Sequence, residues 1–204
     1  MQRVKVVIAK IKEDFKNLEE KMDLIAPYYR ERYLGTKIQS EARQALASGL
    51  LLKKYLDVDS NEQLTYNAFH KPFLSSGKAY FNLSHSEEYV VLAVSEGLIG
   101  VDVEKIMEYH DATAKKIFST SQREYLLDLP SAERNEYFTK LWTEFEAVLK
   151  LKGTGFCETW AKESPPILDY PSCSIRVEDY FISCATEKKA TMETEIIDIK
   201  KLEE

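Results

Sequence analysis

The stretch 135–152 constrains the fold more than any other part of the chain. Phe138, Leu141, Trp142, Phe145 and Leu149 recur there at helical spacing, so one long helix carries an apolar stripe that other elements must cover. Gly153 and Gly155 follow it and supply the left-handed residues that end helices. Runs with strand character lie on both sides: 4–11, 89–95 and 100–104 before the helix, and 174–177, 180–185 and 194–199 after it. Glu96-Gly97 reads as the turn between the second and third of these. A second clean helix is expected over 41–55, and shorter ones over 112–117 and 121–127, the last with Ser121 as its N-cap. The charged, periodic segment 18–34 is helical around Pro27, which starts or breaks an element, and 66–74 is extended or turning at Lys71-Pro72.

Tyr89-Val-Val-Leu-Ala-Val-Ser-Glu96 echoes Tyr180-Phe-Ile-Ser-Cys-Ala-Thr-Glu187, and each half sets a long helix ahead of its strands. If the echo is a repeat, the chain is two similar α+β halves, 1–104 and 105–204, with a site between them. A length of 204 residues suits one compact domain or two small packed halves. Against 34 acidic residues there are 28 Lys and Arg, a net charge of −6, which speaks against nucleic acid as partner because that binding neutralises phosphates. A local basic pocket for a phosphorylated small molecule is compatible with that charge. Cys157, Cys173 and Cys184 form an odd set without metal-ligand spacing, as free thiols in a reducing compartment would. With no apolar run near membrane-spanning length and no signal-peptide pattern, a cytoplasmic protein without a membrane partner is expected.

Gly100-Val101-Asp102-Val103-Glu104 alternates with the period of a strand, which puts Asp102 and Glu104 on one face. Two such carboxylates fit a solvated strand face; they equally fit hard oxygen ligands for Mg²⁺ or Mn²⁺. Glu146, four residues before Lys150 on the long helix, reads as a surface ion pair or as part of a site. Ser84-His85 invites a hydrolase reading, but neighbouring residues of an extended chain point apart and no Gly-x-Ser-x-Gly elbow is present. Phosphate contact by the hydroxyl and imidazole is the better use of the pair, with a structural histidine as the plain alternative.

Together, Asn82-Leu-Ser-His-Ser86, Gly100-Val-Asp-Val-Glu104 and Trp142-Thr-Glu-Phe-Glu-Ala-Val-Leu-Lys150-Leu-Lys-Gly153 resemble the motifs of the larger, monomeric, surfactin-synthetase-activating phosphopantetheinyl transferases, in the same order. The resemblance covers roughly 25–190 and implies an α+β fold of two similar halves in a pseudo-twofold arrangement, with the active site between them. It implies transfer of the 4′-phosphopantetheine arm of coenzyme A to a serine of an apo acyl or peptidyl carrier protein. Asp102, Glu104 and Glu146 would then hold Mg²⁺ (or Mn²⁺), with Glu146 activating the serine and Lys150 stabilising the departing 3′,5′-ADP. Ser84 and His85 match contacts to the 3′-phosphate, and Lys71 matches a coenzyme-binding lysine.

The sequence departs from the family in three places. Phe145 stands where relatives carry a lysine, so a relative that binds coenzyme A or a carrier without efficient transfer is the alternative reading. His70 replaces the glycine usual before Lys71-Pro72. The basic residue expected near the start of 45–52 falls on Gln44, with Arg43 one place earlier, so Arg43 is the candidate nucleotide contact and Tyr33 and Lys37 are its neighbours.

Overall fold

Burial on both faces explains why the first strand reads as an almost unbroken apolar run. In this computed structural model, which describes residues 2–11, 19–155 and 170–199, strand β1 (Gln2–Lys10) turns Val7 and Ala9 to one core and Val4, Val6 and Ile8 to another. It pairs antiparallel with β5 (Tyr89–Ser95) and parallel with β9 (Ala190–Asp198), and β4 (Tyr80–Ser86) completes a sheet of order β4-β5-β1-β9. A second, antiparallel sheet has the order β6-β8-β7, from β6 (Ile99–Lys105), β7 (Ser172–Val177) and β8 (Tyr180–Thr186). The short β2 (Leu64–Tyr66) and β3 (Pro72–Leu74) form a separate hairpin.

Helix α1 (Pro27–Gly35) begins at its proline, whose fixed φ and missing N–H suit a first turn, and a 3₁₀ turn at Glu19–Leu24 precedes it. Helix α2 (Gln39–Leu56) buries Leu46, Leu50 and Leu51 against β1 and β5. Gly49 lies so close to Ile25 that a Cβ there would stand 2.9 Å from it. The two sheets enclose a second core of Val6, Ile8, Val91, Val101, Val103 and Ile182. Outside the second sheet lies α5 (Ser131–Lys152), whose Ala147, Val148 and Leu151 pack with Ala185. The layers are therefore α2, the four-stranded sheet, the three-stranded sheet and α5, a mixed α+β architecture.

Two expectations are corrected at element ends. The N-cap before α4 (Thr120–Asp128) is Ser119, in a capping box with Gln122, two residues ahead of Ser121. The long helix starts at Ser131, just after Pro130. The motif at 82–86 lies in strand β4. Helix α3 (Asp111–Ile117) stands as expected. Cys157 and the charged tail 200–204 lie outside the described residues, and Cys173 and Cys184 carry free thiols. No helix among the described residues is long and apolar enough to cross a membrane.

The echoed segments are both strands, and each follows a tight turn. Tyr89 and Tyr180 each open the second strand of a two-residue hairpin, and the first turn residues, Glu87 and Glu178, share positive φ values of 45° and 50°. The two tyrosine rings meet edge to face, with centroids 4.7 Å apart.

Candidate active site

Strands β4 and β6 belong to different sheets, and alternate side chains of β4 stitch them together. Asn82 Oδ1 accepts the Val101 amide at 2.8 Å, and Ser84 Oγ accepts the Val103 amide at 3.3 Å. Ser84 donates to Asp102 Oδ1 at 3.0 Å, and Ser86 donates to Glu104 Oε2 at 3.0 Å. Residues 82, 84 and 86 share one face of β4, so this stitching occupies Ser84 and leaves Leu83 and His85 to face a cleft. Ser84, expected at a phosphate, is instead a buried partner of Asp102 and Lys150.

Helix α5 brings the other half of the site. Gly100 makes this possible, because a Cβ there would overlap the Ala147 carbonyl oxygen and the Leu151 amide nitrogen. Over this contact Lys150 Nζ reaches Asp102 Oδ1 at 2.7 Å and Ser84 Oγ at 2.8 Å. Asp102 is 3% exposed, and its second oxygen, Oδ2, is buried without a hydrogen-bond partner. An orphaned carboxylate oxygen is costly in a protein interior and marks a place where a cation or donor belongs. Burial, then the negative charge of Asp102, pushes the Glu104 carboxyl up to about 7, and the same two causes raise Glu146. The trio therefore converges closely enough for its charges to be felt mutually. It is no ready-made cage, since no group of three or more His, Cys, Asp or Glu among the described residues is set to hold a metal ion. Lys150 takes one oxygen of Asp102 and Ser86 takes one of Glu104.

Glu146 and Lys150 line a cavity of about 250 Å³. It shares His70, Pro72, Asn82 and Leu83 with a second cavity of about 360 Å³, so the two form one cleft. The far end holds Arg32, His85, Gln44 and Tyr28. Desolvation by surrounding protein, then the positive charges of Lys150 and Arg32, hold His85 below the usual imidazole value. Arg32 hydrogen-bonds the Tyr28 hydroxyl at 3.1 Å and lies over its ring.

Several expected residues sit elsewhere. Arg43 is half-buried and absent from the cleft lining, where Gln44 stands in its place and donates to the Glu87 carbonyl at 3.0 Å. Lys71 borders the cleft, yet its ammonium is turned to the carbonyls of Ile99, Lys150 and Leu151 at 3.0, 2.6 and 3.0 Å. Those bonds use its three donors and leave none for a phosphate. Burial pushes Lys71 down to about 8, so at neutral pH it keeps its proton. Phe145 is 2% exposed in a core with Phe118, Leu126 and Phe138, turned towards α3 and α4. Arg32 and Tyr28 went unnoticed in the sequence; the available signal was their i, i+4 spacing on a helix opened by Pro27.

A long cleft with Arg32 and His85 at one end and Glu146 with Lys150 at the other, the latter backed by the buried Asp102, has the layout of a site for an extended phosphate-bearing ligand. Comparison with known proteins agrees with that class. A sequence model of the 4′-phosphopantetheinyl transferase superfamily matches residues 98–193. The chain is 32% identical over 108 residues to 4′-phosphopantetheinyl transferase psf-1 of Bacillus pumilus, covering 53% of this chain and 46% of that protein. With 4′-phosphopantetheinyl transferase Sfp of Bacillus subtilis it shares 28% identity over 143 residues, 67% of this chain and 64% of the relative. With 4′-phosphopantetheinyl transferase AcpT of Salmonella typhimurium it shares 30% over 140 residues, 64% of this chain and 70% of the relative. The chain belongs to the 4′-phosphopantetheinyl transferase superfamily. It spans about half to two thirds of the length of the Bacillus relatives.

Proposed function

We propose that this chain transfers the 4′-phosphopantetheine arm of coenzyme A to a serine hydroxyl of an apo acyl or peptidyl carrier protein. The observation that carries the reading is the buried Asp102 with its unpartnered oxygen, beside Glu146 and Lys150 at one end of the cleft. Arg32 and His85, at the other end, suit the 3′-phosphate of the nucleotide. In the reaction the serine oxygen bonds to the phosphorus that bears pantetheine, and the bond from that phosphorus to the bridging pyrophosphate oxygen breaks. The serine proton goes to a base, and 3′,5′-ADP leaves.

Glu146 is the base, its proton affinity raised by burial and by Asp102, which suits a carboxylate that must accept a proton. Lys150 donates to the departing pyrophosphate oxygen, moving from Asp102 and Ser84 to do so. The orphaned oxygen of Asp102 supports a place for a divalent cation, and once Glu104 and Glu146 turn towards it, Asp102, Glu104 and Glu146 would hold Mg²⁺ or Mn²⁺. When bound, that ion supplies charge neutralisation at the pyrophosphate. Action as a monomer in the cytoplasm belongs to the same reading, and the free thiols of Cys173 and Cys184 suit a reducing compartment.

Incubation with coenzyme A, Mg²⁺ and several apo carriers, followed by intact-mass measurement of the carrier, tests the reading. One added phosphopantetheine per carrier is expected. The alternative, coenzyme binding without efficient transfer, is not favoured, because Phe145, which stands where relatives carry a lysine, is turned into the core and away from the cleft. Tight coenzyme binding with no mass gain on any carrier would establish that reading instead.

A further inference from the structure

The last carbonyls of a helix have no intrahelical partners, and at the end of α5 the β2–β3 loop supplies them. Besides the Lys71 bonds to the carbonyls of Lys150 and Leu151, Asn67 Nδ2 donates to the Gly153 carbonyl at 2.8 Å. Asn67 Oδ1 accepts the Lys71 amide at 2.9 Å, which aims the lysine, and His70 at φ 62° closes the loop. Gly153 admits the pair: a Cβ there would lie 2.8 Å from Asn67 Nδ2 and 2.9 Å from Lys71 Cδ. The third Lys71 acceptor, the Ile99 carbonyl, is the first residue of β6, three residues before Asp102. One buried ammonium thus joins the strand that carries Asp102 and Glu104 to the helical turn that carries Lys150, at the seam where Gly100 lets the two backbones touch. Its charge also faces the negative end of the α5 dipole.

We propose that Lys71 is a positioning residue that clamps β6 to the last turn of α5 and so sets the spacing of Asp102, Glu146 and Lys150, without itself contacting coenzyme A. The inference rests on the transferase reading only where turnover is the readout. Lys71→Met keeps the stem and removes the clamp. Backbone amides of residues 147–153 should exchange hydrogen about tenfold faster or more. The Kd for coenzyme A, measured by calorimetry, should change by less than about threefold. With an apo carrier, kcat should fall by about tenfold or more. Unchanged exchange, a larger loss of coenzyme affinity, or a smaller loss of kcat overturns the proposal. Exchange and affinity need no turnover, so an unaltered chain that transfers nothing sinks the transferase reading while these two measurements still decide the clamp. If Lys71→Met does not fold, Asn67→Ala is read in the same way, with exchange faster by about threefold or more as the deciding value.

Discussion

At the scale of single residues, chemistry in the cleft depends on which charges lack partners. Glu146→Gln keeps the shape of the side chain and removes the base. Transfer should fall by about 10²–10⁴-fold with the unfolding midpoint little changed, as measured by carrier mass gain and thermal melting. Turnover near that of the unaltered chain would show that Glu146 is not the base. Arg32→Ala removes a cationic group from the His85 end of the cleft. Coenzyme A affinity measured by calorimetry should weaken by about 1.5–3 kcal/mol, the worth of a charge-assisted hydrogen bond. Equal affinity would place the 3′-phosphate elsewhere. Of these residues, Glu146 was legible in the sequence because it follows Trp142 at the spacing of a known motif. Arg32 was not, because only the packing of α1 against α2 brings it opposite His85.

At the scale of elements, the site is a contact between backbones. Gly100→Ala would drive a methyl group into the α5 main chain, which cannot yield as a flexible side chain does. Overpacking of this kind costs about 1–3 kcal/mol or more, so chemical denaturation should show a marked loss of stability, together with lost transfer. A variant as stable as the unaltered protein would mean that α5 does not sit on β6 as described. Strand β6 was readable from its alternation, and α5 from its apolar stripe, because period alone reports which residues share a face. The partners of those faces were beyond reach. Ser84 and Lys71 both bear donors suited to phosphate, and nothing local distinguishes such a donor from one that the folded protein uses on its own carboxylate or carbonyls.

For the whole molecule, folding buries Glu104 and gathers Asp102 and Glu146 around it, and this makes stability depend on pH. The Glu104 carboxyl titrates at about 7 in the folded protein against 4.5 ordinarily, so the folded state holds that proton more tightly. Stability from this group is therefore full below about 4.5 and is lost as pH rises through about 7. In metal-free buffer, Glu104→Gln should leave the unfolding midpoint unchanged near the lower pH and raise it above that of the unaltered protein at the higher. A constant difference across the window would mean that Glu104 carries no such penalty. The same gathering joins segments distant in sequence: β1 pairs with β9 from the far end of the described chain, and β6 pairs with β8.

By itself the sequence determined the periodic elements, the order of the acidic motifs and the turn residues, because each depends on neighbours a few positions away. It also held the hairpin echo, whose two tyrosines, Tyr89 and Tyr180, meet ring to ring in the fold. Only the tertiary structure decided that Asp102 keeps one oxygen free while Lys150 and Ser84 take the other. Only the fold set α3 and α4 over the stripe that includes Phe145 and assigned Lys71 to the end of α5. The physical reason is common to all of these: which polar groups are satisfied, and by what, depends on contacts between residues far apart in the chain.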